Sequence, residues 1–279
     1  MTTTARPAVR SPKQSTTQRT LTPARSGRLS APRRFATLVA TEARVWLRDI
    51  STVATTLPFP IAFLLGIPAI NEDMRHTFTE GVFAGFTGVD VFVPAVLAMS
   101  MTAPAVMALP TAFAGFRDKG VLRRMSATPL RPQAMLGAHV LINVAVTVLA
   151  AALALVAGHL VFGLTMPNDL AVVVGSYAAG VVVMFALGTV LAAVVKNPSH
   201  AAGVGMLVFF ASLVSAGVMT PGGLPDGLAQ VARFIPLGAA AQAMQEGWFG
   251  DGVPVLQLAV MAVWTAVLVP TAAKLFRWS

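Results

Sequence analysis

The residues of this sequence that could take part in chemistry are concentrated in one short basic segment between two long apolar runs. Residues 116–135 read FRDKGVLRRMSATPLRPQAM and hold five basic side chains but a single acid, Asp118. Thr128 and Pro129 interrupt any helix formed here, because proline lacks an amide donor and restricts the residue before it. We predict a short helix, a break, and a new helix starting near Pro132. Two interpretations are open: a solvated basic loop, or a helix on which a separate cytoplasmic protein docks.

Other chemical signals are weak. The chain has no cysteine and no G-x-x-x-x-G-K-[ST], G-x-G-x-x-G or H-E-x-x-H motif, and its four histidines lack metal-ligand spacing. His139 and Asn143 lie one helical turn apart in an apolar run, which suits either substrate contact or hydrogen bonding between helices. Three methionines suit either an adaptable lining or plain packing: Met99, Met101 and Met107.

The composition indicates an integral membrane protein. Hydrophobic residues make up 56% of the 279 residues and charged residues only 11%, against about 25% charged in a soluble domain. The mean hydropathy is +0.73. A net charge of +9 could indicate nucleic-acid binding, but ten of the twenty basic residues precede Ser51 and five more lie in the basic segment. This distribution is typical of membrane topology, so no nucleic-acid partner is expected.

The apolar runs predict six transmembrane helices in an all-α fold, each near the ~20 residues that cross the hydrocarbon core. The first two contain three prolines each, which membrane helices tolerate when neighbouring helices satisfy the freed carbonyls. These two helices are therefore expected inside the bundle. The predicted spans are residues 53–70, 89–113, 137–162, 170–195, 201–219 and 255–273.

The charge distribution predicts the orientation. If the N-terminus is cytoplasmic, eighteen of the twenty basic residues lie inside, and only Arg75 and Arg233 lie outside. Eight of the eleven acids then lie outside. The positive-inside rule favours this arrangement, which places both termini in the cytoplasm of a multi-pass protein in the inner or plasma membrane.

The segments flanking the spans have distinct characters. Residues 1–32 are rich in Thr, Ser, Pro and Arg without apolar periodicity, so a disordered basic tail is predicted, followed by a membrane domain over residues 33–279. Residues 35–50 are amphipathic and suit a helix lying in the membrane interface, or one packed on the protein. Residues 220–254 hold two moderately apolar pieces too short to span. We expect re-entrant helices dipping into the outer leaflet; a soluble hairpin is the alternative.

The spans contain no Lys, Arg or Glu at their centres, and Asp90 falls at the outer end of the second, where headgroups and water are expected to reach it. Ion-coupled carriers usually hold their ion with buried carboxylates or broken helices. If this protein pumps, the energy is therefore expected from another polypeptide at the cytoplasmic face.

Two runs resemble the ABC-2 type permeases, the membrane subunits of ATP-driven exporters. Residues 115–132, GFRDKGVLRRMSATPLRP, resemble the E-R-x-x-G-T-L-x-x-L-x-x-[ST]-P pattern that this family carries between its second and third spans. Arg117, Gly120, Leu122 and Pro129 match, whereas Phe116 replaces the acid. Residues 221–228 and 234–237, PGGLPDGL and FIPL, resemble the family between its fifth and sixth spans. The chain looks most like the daunorubicin-exporter branch, in which permease and ATPase are separate chains.

The resemblance implies a six-helix permease that pairs with a second copy or a homologue and binds two ATPase subunits. It implies that this chain binds no cofactor, and that ATP and Mg²⁺ belong to the ATPase. The basic segment would be the coupling helix, with an arginine cluster and apolar anchors suited to an acidic cleft. The residues expected to dock are Arg117, Asp118, Gly120, Leu122, Arg123, Arg124, Met125 and Pro129.

The cargo expected from the apolar bundle is a hydrophobic or amphipathic molecule: a drug, an antibiotic, a lipid or a lipid-linked precursor. Two other classes of function are weighed against an ATP-driven exporter. One is a self-sufficient secondary carrier or channel. The other is a membrane-embedded lipid-modifying enzyme, which the absence of a His/Asp/Glu constellation disfavours.

Overall fold

The computed structural model of the chain describes residues 31–48, 56–81, 83–120, 132–218 and 225–275. The all-α prediction is confirmed for these residues, which contain no β-strand and only one isolated antiparallel bridge, between Thr77 and Thr87. The helices are α1 (Ala31–Arg48), α2 (Pro58–Ile70), α3 (Gly88–Asp118), α4 (Pro132–Phe162), α5 (Leu170–Val194), α6 (Pro198–Ser215), α7 (Asp226–Ala232), α8 (Pro236–Phe249) and α9 (Val255–Leu275).

Five of these helices are long and apolar enough to cross a membrane: α3, α4 from Ala134 onward, α5, α6 and α9. The predicted first span, residues 53–70, corresponds to α2, which has 13 residues. Residues 51–55 lie outside the described part of the chain, so the six-span topology stays a prediction. The helices α3, α4 and α5 alternate in direction, because α3 ends beside the end of α5 and α4 ends beside the start of α3.

We call the end of the bundle that contains Arg117 the basic end, and the end that contains Asp90 the far end. At a rise of 1.5 Å per residue, α3 covers the roughly 45 Å between them. This helix is the centre of the bundle, as predicted from its prolines, since 72% of its most apolar stretch is buried. The same prediction is not met by α2, in which only Pro60, Leu64 and Pro68 are buried. Only 17% of the corresponding stretch of α9 is buried, so α9 is a peripheral helix.

The middle of α3 contains a π-helical turn over Pro104–Ala108. Proline cannot donate the usual backbone hydrogen bond, and an extra residue in the turn accommodates the break. Two glycines of neighbouring helices pack directly on this turn. A Cβ on Gly188 of α5 would overlap the carbonyl oxygen of Ala105, and one on Gly205 of α6 would overlap that of Val106. The absence of a side chain at both positions lets three helix backbones approach closely.

The connection after α6 contains two short helices, α7 and α8, as the sequence predicted. Helix α8 is almost wholly buried and packs against α3, α5, α6 and α9. Its end at Gly247 contacts Val173, and its Ala240 contacts Gly180, so α8 runs antiparallel to α5. Its 14 residues cover about 21 Å, less than the ~30 Å hydrocarbon core. The depth of α8 in a bilayer stays a prediction.

The amphipathic helix predicted over residues 35–50 corresponds to α1, which starts four residues earlier and packs on α4. Its side-chain contact with α4 lies at the basic end, where Oε2 of Glu42 is 3.9 Å from Nδ1 of His139. Position in a membrane interface stays a prediction for α1. The predicted tail over residues 1–32 lies outside the described residues, except for Ala31 and Pro32.

Candidate functional site

The basic end of α3 is organised by Arg117. Its guanidinium donates hydrogen bonds to the carbonyl oxygens of Ala192 and Val195, the latter at 3.2 Å. These carbonyls belong to the last turn of α5 and the residue after it, where a helix has no amide donors of its own to offer them. The half-buried Arg117 therefore joins the ends of α3 and α5.

Gly120 ends α3. The amide of Lys119 donates to the carbonyl of Gly115 at 3.0 Å, and that of Gly120 donates to the carbonyl of Arg117 at 2.9 Å. Gly120 has φ +64°, the left-handed conformation that terminates many helices and that glycine adopts without steric cost. The motif glycine thus ends α3 within the basic segment, with Asp118 and Lys119 exposed just before it.

The rest of the predicted docking site lies outside the described residues: Leu122, Arg123, Arg124, Met125 and Pro129. The docking function of this segment stays a prediction. The described chain stops at Gly120, two residues after the end of the central helix α3, and resumes at Pro132, the first residue of α4.

The two polar residues singled out on α4 lie near the basic end. The ring of His139 packs edge-on against Phe113 at 5.5 Å and Phe116 at 6.0 Å between centroids. The side-chain amide of Asn143 donates to the carbonyl of His139 at 2.8 Å. His139 thus contributes to the packing between α1, α3 and α4, while the amide of Asn143 is satisfied within its own helix. Substrate contact by this pair stays a prediction.

The three methionines of α3 do not share one environment. Met99 and Met101 are fully buried in the core, and the sulfur of Met101 faces Gly180 of α5. Met107, at the π-helical turn, is half-buried and packs against the edge of the core. A shared substrate lining also stays a prediction; in this conformation, Met99 and Met101 fill space between helices.

A polar junction between three helices was not singled out in the sequence. The hydroxyl oxygens of Ser100 on α3 and Tyr177 on α5 lie 3.1 Å apart. The same Tyr177 hydroxyl is within hydrogen-bonding distance of the Thr147 carbonyl on α4, at 3.3 Å, and Ser100 donates to its own helix at Leu97. The signal that could have indicated this junction is the presence of polar side chains inside apolar spans. Tyr177, the one tyrosine in the chain, lies inside such a span.

The expectation that water and headgroups reach Asp90 is wrong, because this side chain is only 1% exposed. Its carboxylate accepts hydrogen bonds from the amide and hydroxyl of Thr87, at 2.8 and 2.7 Å. It also accepts from the amide of Thr165 at 2.8 Å and from the Thr165 hydroxyl at 3.3 Å. The contact with Thr87 is a capping box at the start of α3. The contact with Thr165 connects Asp90 to the loop after α4. These four donors replace the water that the carboxylate would otherwise need.

These features define a polytopic α-helical membrane protein in which a central helix links a basic end to a buried carboxylate. Among the described residues, no three His, Asp or Glu side chains come together as a metal site. The sequence profile of the family described as ABC-2 family transporter protein matches residues 51–274. The chain therefore belongs to the ABC-2 transporter family, whose members are membrane components of transporters, are not themselves catalytic and typically pair with an ATPase subunit. No curated protein matches the sequence significantly.

Proposed function

We propose that this chain is the permease subunit of an ATP-driven exporter of the daunorubicin-exporter type. Two copies, or one copy and a homologue, form the pathway, and two separate ATPase subunits hydrolyse Mg-ATP. The cargo is a hydrophobic or amphipathic molecule such as a drug, an antibiotic or a lipid. The observation that carries this proposal is the attachment of the basic segment to the end of the central helix, where Arg117 is bound to the end of α5.

The geometry supports a mechanical route for the energy. The segment expected to dock lies in the chain between the end of α3 at Asp118 and the start of α4 at Pro132. A displacement of this segment by the ATPase would act on α3, and through Arg117 on α5. Chemistry in the membrane interior is not needed for this coupling, since the ATPase supplies the energy.

The proposed orientation places the basic end in the cytoplasm. α1 contacts α4 at the basic end. α9 starts six residues after Phe249, whose ring packs on Phe86 at the far end, so α9 runs back toward the basic end. The described parts of the chain nearest its two termini therefore lie on the same side. The excess of arginine and lysine at this end favours the cytoplasmic side, which puts both termini in the cytoplasm.

The docking step is tested by charge reversal in the basic segment. Arg123→Glu with Arg124→Glu should weaken capture of the ATPase by at least about tenfold, because reversing two charges costs more than the ~1.4 kcal/mol that a factor of ten represents. Arg6→Glu with Arg10→Glu makes the same charge change in the N-terminal tail and should leave capture unchanged. Full retention of the ATPase by the Arg123/Arg124 variant would contradict the docking role.

The orientation has a direct test, since the chain has no cysteine of its own. Arg123→Cys should be labelled by a membrane-impermeant maleimide only after the membrane is opened, and Asp251→Cys should be labelled in intact cells. The reverse pattern would overturn the proposed topology. The main alternative, a secondary carrier, predicts uphill transport by the purified permease under a proton gradient without an ATPase or ATP.

A further inference from the structure

A half-open cleft of about 510 Å³ lies at the far end of the bundle, between the end of α2 and the end of α4. This volume is within the range of small-molecule sites, ~300–1,000 Å³. Its walls are apolar, and its polar groups come from Arg75 and Thr87, which is already hydrogen-bonded to Asp90. The lining residues are Leu65, Ala69, Arg75, Thr87, Val89, Val161 and Phe162.

Arg75 is held in place by backbone contacts. Its Nε and one terminal nitrogen donate to the carbonyl oxygens of Pro68 at 2.9 Å and Ala69 at 3.0 Å. Its guanidinium carbon lies 5.9 Å from the centroid of the Phe162 ring. A guanidinium has five N–H donors, so these two hydrogen bonds leave donors for a ligand.

The charge of Arg75 has no carboxylate partner among the described residues. Glu72 and Asp73 precede it in the same short 3-10 helix, yet no ion pair joins either of them to Arg75 within 4.0 Å. The carbonyl oxygens that hold the side chain are neutral. An ordered guanidinium at the edge of an apolar cleft matches a phosphodiester, which accepts hydrogen bonds through two oxygens.

The apolar walls continue onto a surface that faces outward from the bundle. Ile70 is 83% exposed, Leu160 is 78% exposed and Val161 is 59% exposed. In a membrane protein, such a surface contacts acyl chains. An apolar, membrane-facing cleft with a cation at its polar end combines the two features that a phospholipid presents, whereas a water-soluble anion would gain nothing from the walls.

We propose that this cleft binds one phospholipid of the outer leaflet, with its phosphate on Arg75 and its acyl chains along Leu65 and Val161. The leaflet follows from the orientation argued above, because Thr87 precedes α3 and Arg117 ends it. Binding itself depends neither on an ATPase nor on the nature of the cargo. The site would fix α2 to α4 through a lipid molecule at the far end.

The test uses the full chain reconstituted in vesicles of phosphatidylethanolamine and phosphatidylglycerol that contain a photoactivatable phosphatidylglycerol. We expect labelling of the peptides that contain Leu65 and Val161. Arg75→Gln should lower this labelling about tenfold, the usual effect of losing one charge-assisted hydrogen-bonded contact. Arg233→Gln removes the other basic residue predicted on this side and should leave it unchanged.

A second pair of variants addresses the cleft without touching the arginine. Val161→Trp fills the space beside Arg75 and should lower labelling to a similar degree. Val156→Trp places the same bulk on another exposed position of α4, 57% exposed and outside the cleft, and should label like the unmodified protein. The proposal is overturned if Arg75→Gln and Val161→Trp label normally, or if the controls lose labelling equally. Because photolabelling needs no ATPase, a failure of this proposal can be distinguished from a failure of the proposed transport function.

Discussion

The guanidinium of Arg117 donates a hydrogen bond to the backbone carbonyl of Val195, 78 residues later in the chain, at 3.2 Å. A second hydrogen bond from the same side chain reaches the carbonyl of Ala192. The arginine that matches the family motif is thus a link within the bundle, between the end of α3 and the end of α5. Its mutation is expected to affect the bundle as well as docking.

Arg117→Ala should lower the free energy of unfolding by ~1–2 kcal/mol, because it leaves two carbonyls at a helix end without their charged donor. Arg117→Lys should give an intermediate loss: one guanidinium nitrogen donates to both carbonyls, and the shorter lysine side chain keeps the charge but not this planar geometry. Lys119→Ala, at an exposed side chain two residues later, is the control and should be near neutral. Thermal unfolding of the purified permease in detergent measures all three, and equal losses for Arg117→Ala and Lys119→Ala would contradict the link.

Gly188→Ala should destabilise the protein by ~1–3 kcal/mol through overpacking, because the new methyl group would overlap the Ala105 carbonyl. The control lies on the same helix: a Cβ at Gly175 meets no atom within 4 Å. Gly175→Ala should therefore be neutral or slightly stabilising. Protease resistance and unfolding midpoint provide the measurement. A tolerated alanine at position 188 would show that α3 and α5 are not in close contact there.

Asp90→Asn should lower stability by ~2–3 kcal/mol. The amide of Thr165 donates to one carboxylate oxygen and that of Thr87 to the other, each at 2.8 Å, so an asparagine NH₂ group must face a donor in either orientation. Asp169→Asn is the control, since Asp169 caps α5 through one oxygen, from the amide of Val172 at 3.0 Å, and asparagine caps equally well. Stability is measured by unfolding in detergent. Similar losses for both variants would contradict the conclusion that both carboxylate oxygens of Asp90 must accept hydrogen bonds.

Tyr177→Phe should cost ~0.6–1.5 kcal/mol, the range for a hydrogen bond between membrane helices. The substitution removes the Tyr177 hydroxyl, which lies between the Ser100 hydroxyl and the Thr147 carbonyl. Thr189→Val is the control on the same helix, because that hydroxyl donates only to its own helix, at Phe185. Stability is compared by unfolding in detergent, and the double variant Tyr177→Phe with Ser100→Ala should show less than the sum of the single effects.

The positions of the long helices were predictable because their ends carry local signals. Helix α5 begins at Leu170, as predicted, since Asp169 caps it. Helix α6 differs from the prediction of residues 201–219 at both ends: Asn197 caps its start at Pro198, and the chain leaves the helix before Gly217, which has φ +75°. Cap and turn residues gave these limits more closely than hydropathy, which changes gradually at a span's end.

The environments of Asp90 and Arg117 could not be predicted in the same way. Their place at the end of an apolar run predicts contact with water or with a partner protein. In the structure, Asp90 also accepts from Thr165 and Arg117 donates to the end of α5, each at least 75 residues away in the chain. No local pattern encodes such contacts, although the Thr87-x-x-Asp90 spacing is a visible capping box. The Tyr177 junction was missed because its groups come from three different helices, which no local pattern in the sequence brings together.

The close packing of Gly188 and Gly205 on the π-helical turn has a mechanical consequence. With three backbones in contact at Ala105 and Val106, α5 and α6 hold α3 at this turn from two sides, so a tilt of α3 would be centred there. This makes the turn a fulcrum, with an arm of about 15 Å toward Asp118 and one of about 24 Å toward Gly88 at 1.5 Å per residue. A displacement of the Asp118 end would then produce a larger displacement of the Gly88 end in the opposite direction.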